Sequence, residues 1–174
     1  LAGGDETQKA GAIAGMRRLN RAASEALIAT GGVHAVTDVT GYALAGHGWE
    51  MAERSHGAFR IASSSLPLYP GAREIAARGV RTGGDARNRT AVGAHVRLAE
   101  GVDPAFDILA FDPQTSGGLL AAVNPKAVDE LRSTFTVVRE VVDGEPELLT
   151  VRWSRPHPPA IWNDRCATRD SRAW

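Results

Sequence analysis

The chain has 174 residues, 43% of them hydrophobic and 23% charged, the composition of one globular domain with appendages or of two very small ones. Twenty basic and twenty acidic side chains cancel, so no global field draws nucleic acid or an anionic membrane, and neither is an expected partner. The single cysteine, Cys166, excludes a disulfide framework and an all-cysteine metal site. No apolar run of about 18 residues and no basic-then-apolar leader is present, so a reducing cytoplasm is the expected compartment. Leu1 stands where Met would open a chain, ahead of a polar Gly-Gly-Asp-Glu-Thr-Gln stretch, which reads as a piece cut from a longer protein with 1–8 as linker.

In chain order, Ile13, Met16, Leu19, Ala23 and Leu27 keep a helical spacing that predicts one helix over 8–30, closed by Gly31-Gly32. A short buried strand follows at 33–36, then a helix over 42–55 with Leu44, Gly48, Met51 and Ala52 inward. Phe59 and Ile61 alternate in a strand at 58–62. The middle is rich in Gly and Pro, with short helices at 72–78 and 88–93 and an extended piece at 95–98. Asp103-Pro104 and Asn124-Pro125 each place a capping side chain before a first-turn proline, so helices start there and run to about 110 and 133. Between them, 119–123 reads as an apolar strand. Strands at 136–142 and 148–151 surround Asp143-Gly144, the signal of a closing hairpin. Interleaved strands and helices predict an α+β or α/β-like fold, a mixed sheet packed with helices. Residues 153–174, with three Trp, Pro156, Pro158, Pro159 and Cys166, lose all periodicity and read as an irregular tail.

Two polar clusters could carry chemistry. Thr37-Asp38-Val39-Thr40-Gly41 sits between a strand and a helix start, where unpaired N–H groups suit an anion and a carboxylate suits Mg²⁺. The plain alternative is that Asp38 or Thr40 caps the helix. Asp112-Pro113-Gln114-Thr115-Ser116-Gly117-Gly118 is a loop whose backbone can approach a ligand closely, or simply a tight turn; it has no Walker lysine and no G-x-G-x-x-G pattern. His47 and Glu50, one helical turn apart, lack a third metal partner, and His47 reads as a packed, hydrogen-bonded side chain; His34 and His95 read as unpaired. Arg78, Arg81, Arg87 and Arg89 have no interleaved aromatics and read as a solvated face rather than an RNA surface. No G-x-S-x-G supports a serine hydrolase, and Cys166 has no neighbouring His.

In this order, "RLNRAASE" (17–24), "AVTDVTGYALAGHGWEMA" (35–52), "AEGVD" (99–103) and "FDPQTSGGLLAAV" (111–123) resemble the C-terminal half of selenide, water dikinases (selenophosphate synthetases), over residues 9–152. The resemblance implies the C-terminal domain fold of the AIR synthase-related superfamily, α+β and partly ferredoxin-like. It implies a parent enzyme that converts selenide, ATP and water to selenophosphate, AMP and phosphate with Mg²⁺ and usually K⁺, commonly as a homodimer. The nucleophile, a lysine and further metal aspartates belong to an N-terminal ATP-binding domain, so this chain is expected to be inactive alone. Of the family's metal carboxylates only Asp38 maps here. Thr37, Thr40, Gly41, Gln114, Thr115, Ser116 and Gly117 are expected near phosphate, with the 112–118 loop facing the same cleft. Where the family has Phe-Gly-Leu-Leu this chain has Tyr42-Ala43-Leu44-Ala45, read as local repacking, and 153–174 match nothing in the family. The competing readings are a non-catalytic phosphate-binding or dimer-supporting module and, more remotely, RNA binding by the arginines.

Overall fold

The apolar stripe over 8–30 folds as two helices rather than one. In a computed structural model, which describes residues 3–143, 145 and 147–151, α1 spans Glu6–Met16 and α2 spans Arg21–Thr30. Asp5 closes a full capping box on α1: Gln8 N donates to Asp5 Oδ1 at 2.8 Å and Asp5 N donates to Gln8 Oε1 at 3.0 Å. The helix thus starts inside the stretch expected to be linker. The chain turns at 17–20, and Leu19, which kept the helical spacing, is 79% exposed. Gly31, left-handed at φ 64°, ends α2 as expected.

The following strands and helices lie close to their expected places. They are β1 (Val33–Asp38), α3 (Ala43–Arg54), β2 (Gly57–Ala62), α4 (Ala72–Ala77), α5 (Asp85–Val92), β3 (Val96–Leu98), α6 (Ala105–Phe111) and β4 (Leu119–Val123). The helix expected from Asn124-Pro125 is shorter: a 3₁₀ turn at Pro125–Ala127 and α7 at Val128–Leu131. Asp103 Oδ1 accepts from Ala105 N at 2.9 Å and Asn124 Oδ1 from Lys126 N at 2.9 Å, so both capping side chains do the work their positions suggested.

The strands divide between two sheets. β1 and β4 form an antiparallel ribbon in which Val36 faces Ala121 and Asp38 faces Leu119. The second sheet is mixed, in the order β3-β6-β2-β5, with β5 (Arg139–Asp143) and β6 (Glu147–Val151). The expected β5–β6 hairpin does not form. β2 lies between them, antiparallel to β5 and parallel to β6. A central strand explains its burial: in β2 only Arg60 is exposed, so both faces are covered where simple alternation was expected.

α3 packs its inner stripe on this sheet. Ala45, Met51 and Ala52 join Phe59, Ile61, Ala110, Phe111, Ala122 and Leu148 in one buried cluster, and Gly48 lets the Leu148 side chain close against the helix. Ala35 and Leu120 add the inner face of the ribbon to that cluster. The ribbon's other face, with Val33, Leu119, Ala121 and Val123, packs on a smaller cluster of Leu27, Ala127 and Leu131. Val36 and Asp38 share this second face through strand alternation, and both are exposed. No described helix is long and apolar enough to cross a membrane. The expected tail at 153–174 lies outside the described residues.

Candidate functional site

The two polar clusters, far apart in sequence, meet at one end of the ribbon. Pairing runs one step beyond the strands: Val39 N donates to Gly118 O at 2.9 Å, and Gln114 N donates to Thr40 O at 3.0 Å. Gly117 makes this approach possible, because a Cβ there would overlap the Val39 carbonyl oxygen. Two asparagines fasten the junction from outside it. Asn20 Nδ2 donates to Gly117 O at 3.0 Å, and the buried Asn88 donates to both Gly41 O and Phe111 O at 3.1 Å. Neither residue stood out in the sequence, since an isolated asparagine carries no positional signal.

Asp38 is exposed on the wall of an open cleft of about 720 Å³ between α2 and the ribbon. Asn20, Arg21, Ser24 and Thr37 join Asp38 in its polar part, and Leu27, Ile28, Val33, Val36 and Leu119 form its apolar part. Among the described residues no hydrogen bond or ion pair engages the Asp38 carboxylate, so its oxygens are available to a ligand. Thr37 lines the same cleft and its hydroxyl donates to Asp38 O at 3.3 Å. Thr40 does not face outward: its hydroxyl lies 3.2 Å from Nε2 of His47, which is 8% exposed. The structure thus makes His47 a packed, hydrogen-bonded residue, and Glu50 instead pairs with Arg54 at 3.0 Å.

Gln114, Thr115, Ser116 and Gly117 stand beside this cleft's lining residues rather than among them, and the backbone of the 112–118 loop is engaged with Val39 and Thr40 at the ribbon's end. It reaches the rim only through Gly117 O and Asn20. Thr115 and Ser116 are exposed there, and Gln114 Nε2 bonds Asp112 O at 3.0 Å. Burial pushes the Asp112 carboxyl above the usual carboxylate range, and hydrogen bonds from Thr82 and Gln114 offset this only in part.

Ala43, at the start of α3, has φ 61° and is fully buried. The backbone here is left-handed, the conformation glycine adopts without steric cost, so the departure from Phe-Gly-Leu-Leu stores strain beside the 37–41 segment as well as repacking it.

Of the arginines of the middle, Arg78, Arg81 and Arg87 are exposed as a solvated face requires, while Arg89 is half-buried in an ion-pair network. Asp85, 3% exposed, receives Arg81 Nη1 at 2.8 Å and Arg89 Nε at 3.0 Å. Arg89 also pairs with Asp107 at 2.8 Å and lies 4.3 Å over the Phe111 ring. Arg78 donates to Gly3 O at 2.8 Å. Burial alone would raise the Asp85 carboxyl, but the hydrogen bonds and charges of Arg89 and Arg81 outweigh it and hold the group below its ordinary value. His95 has a partner too, stacked on Trp49 with ring centres 3.9 Å apart. Among the described residues no group of three or more His, Cys, Asp or Glu could hold a metal ion by itself.

Comparison with protein families matches residues 2–143 to the AIR synthase related protein, C-terminal domain. The chain belongs to that family. Several curated relatives of this AIR synthase related domain bear the name selenide, water dikinase. The protein of that name from Burkholderia ambifaria (strain MC40-6) is 44% identical over 140 residues, which cover 76% of this chain and 39% of the relative. The one from Pseudomonas straminea is 43% identical over 118 residues, 68% of this chain and 33% of the relative. The one from Caldanaerobacter subterraneus subsp. tengcongensis is 42% identical over 120 residues, 69% and 34% respectively. The domain therefore spans about two fifths or less of the length of these relatives.

Proposed function

We propose that this domain is the C-terminal part of a selenophosphate synthetase, and that it contributes Asp38 to a Mg²⁺ site completed by an N-terminal ATP-binding domain. The parent enzyme phosphorylates selenide, consuming ATP and water and releasing selenophosphate, AMP and phosphate, with K⁺ as a second cation and a homodimer as the working form. The observation that carries the reading is the exposed, unengaged Asp38 carboxylate at the edge of an open cleft, in a chain whose relatives bear the name selenide, water dikinase.

The donor set fits a shared cation. Mg²⁺ takes one or two carboxylates and completes its shell with phosphate oxygens and water, so a single aspartate from this side is a sufficient contribution. When bound there, Mg²⁺ would neutralise charge on the phosphate oxygens, the main requirement of phosphoryl transfer. This chain's own part is positional. β1 carries Asp38 to the cleft, Val39 and Thr40 are clamped to the 112–118 loop, and Thr37 borders the carboxylate. Among the described residues a single carboxylate faces the cleft and no group of three or more His, Cys, Asp or Glu could hold a metal ion, which supports the reading that the isolated chain is inactive.

The test is product formation followed by ³¹P NMR with selenide, ATP and Mg²⁺. The 174-residue chain alone should give no selenophosphate, and the polypeptide joining it to an N-terminal ATP-binding domain should give selenophosphate and AMP in equal amounts. Selenophosphate made by the isolated chain, or none made by the joined polypeptide, would overturn the proposal.

A further inference from the structure

The two loops at the end of the ribbon are held together by few bonds, and one buried side chain touches the flanks of both. Asn88 is 5% exposed and uses its amide to donate to Gly41 O, which closes the 37–41 segment, and to Phe111 O, which precedes the 112–118 loop. Its helix is itself anchored. Asp85, one turn before it, and Arg89, the next residue, bond each other, and Arg89 continues to Asp107 and the Phe111 ring. A polar side chain this deeply buried needs hydrogen-bond partners, and Asn88 takes its two from separate backbone segments that flank the candidate site.

We infer that Asn88 is a positioning residue for the Asp38 site, a latch that sets the spacing of the two loops and thereby the aim of the Asp38 carboxylate. This deepens the function proposed above and rests on it. The geometry gives the latch a direct line of action. Gly41 is three residues from Asp38; between them Val39 and Thr40 are bonded to Gly118 and Gln114. Releasing Gly41 and Phe111 loosens both sides of that junction while Asp38 and the cleft keep all their atoms. A fold-supporting residue would weaken the molecule evenly; a latch weakens this junction first.

Amide hydrogen exchange on the 174-residue chain separates the two roles without any metal or nucleotide. Asn88→Ala should speed exchange of the Val39 and Gln114 amides at least tenfold more than that of the β2 amides, and Asn88→Ser, which keeps one donor, should lie between. Leu131→Ala, a control in the smaller cluster, should not single out Val39 and Gln114. In the polypeptide joined to an N-terminal ATP-binding domain, Asn88→Ala should raise the Mg²⁺ concentration for half-maximal ATP binding about tenfold, and Leu131→Ala less than twofold. Uniform acceleration of exchange, or local acceleration with an unchanged Mg²⁺ requirement, would overturn the inference. A joined polypeptide without substitutions that binds ATP independently of Mg²⁺ would overturn the functional reading instead, and the exchange arm tells the two failures apart.

Discussion

Gly117 and Gly118 are neighbours with the same side chain and opposite surroundings, and alanine at each gives a sharp test of how the site is assembled. A Cβ on Gly117 overlaps the Val39 carbonyl oxygen, while a Cβ on Gly118 meets nothing within 4 Å and needs no left-handed backbone. Alanine at 117 must push the loop away from Val39. Overpacking of this kind costs about 1–3 kcal/mol, and the displaced loop also strains the Val39–Gly118, Gln114–Thr40 and Asn20–Gly117 bonds, each worth about 1 kcal/mol net. With some relaxation, Gly117→Ala should cost roughly 2–4 kcal/mol. At about 2–4 °C per kcal/mol for a chain of this size, its Tm should fall by about 10 °C. Gly118→Ala should be neutral, or stabilise by up to about 1 kcal/mol by restricting the unfolded chain. Urea unfolding followed by far-ultraviolet circular dichroism measures both. Equal effects for the two substitutions would refute the close approach of the loops.

Two further outcomes follow from particular residues. His56 ends α3 exposed and left-handed at φ 49°, so His56→Gly should raise stability by about 0.5–1 kcal/mol in the same urea assay. Asp85 is held below its ordinary carboxyl value of 3.8 by Arg89 and Arg81 against the opposing effect of burial, so the stability it adds is present above pH about 4 and is lost as pH falls through the lowered value. Asp85→Asn should therefore cost roughly 2 kcal/mol or more at pH 7 and flatten the decline in Tm below pH 4; an unchanged acid slope would contradict the network.

Local signals were legible where neighbouring residues decide the outcome. Leu119 to Val123 formed the expected strand, α3 kept its inward stripe, and the Asp103 and Asn124 caps closed as their spacing suggested. The break between α1 and α2 was hidden because Leu19 preserves the helical interval while no glycine or proline marks the turn. Asn20 stands at the cap position of α2, but its amide goes to Gly117 O instead of its own helix. β5 and β6 looked like a hairpin because β-branched strands around Asp143-Gly144 read the same whether they pair together or flank a third strand. Asp38 was legible as a residue at a strand end, where β1 indeed stops. The clamping of the 112–118 loop onto Val39 and Thr40 was not, because those partners lie more than 70 positions away. The arginines of the middle were legible as a mostly exposed set, and only the half-burial of Arg89 was not, because it depends on Asp85 and Asp107 meeting around its guanidinium.

The central claim is that Asp38 supplies one carboxylate to a cation shared with an ATP-binding domain. Mn²⁺ in place of Mg²⁺ makes that cation visible to electron paramagnetic resonance, and the joined polypeptide can be titrated in the presence of a non-hydrolysable ATP analogue. Asp38→Asn should weaken Mn²⁺ binding at least tenfold while the Tm stays within about 2 °C, as expected for an exposed side chain with no partner among the described residues. Mn²⁺ bound equally tightly with and without the Asp38 carboxylate would contradict the account.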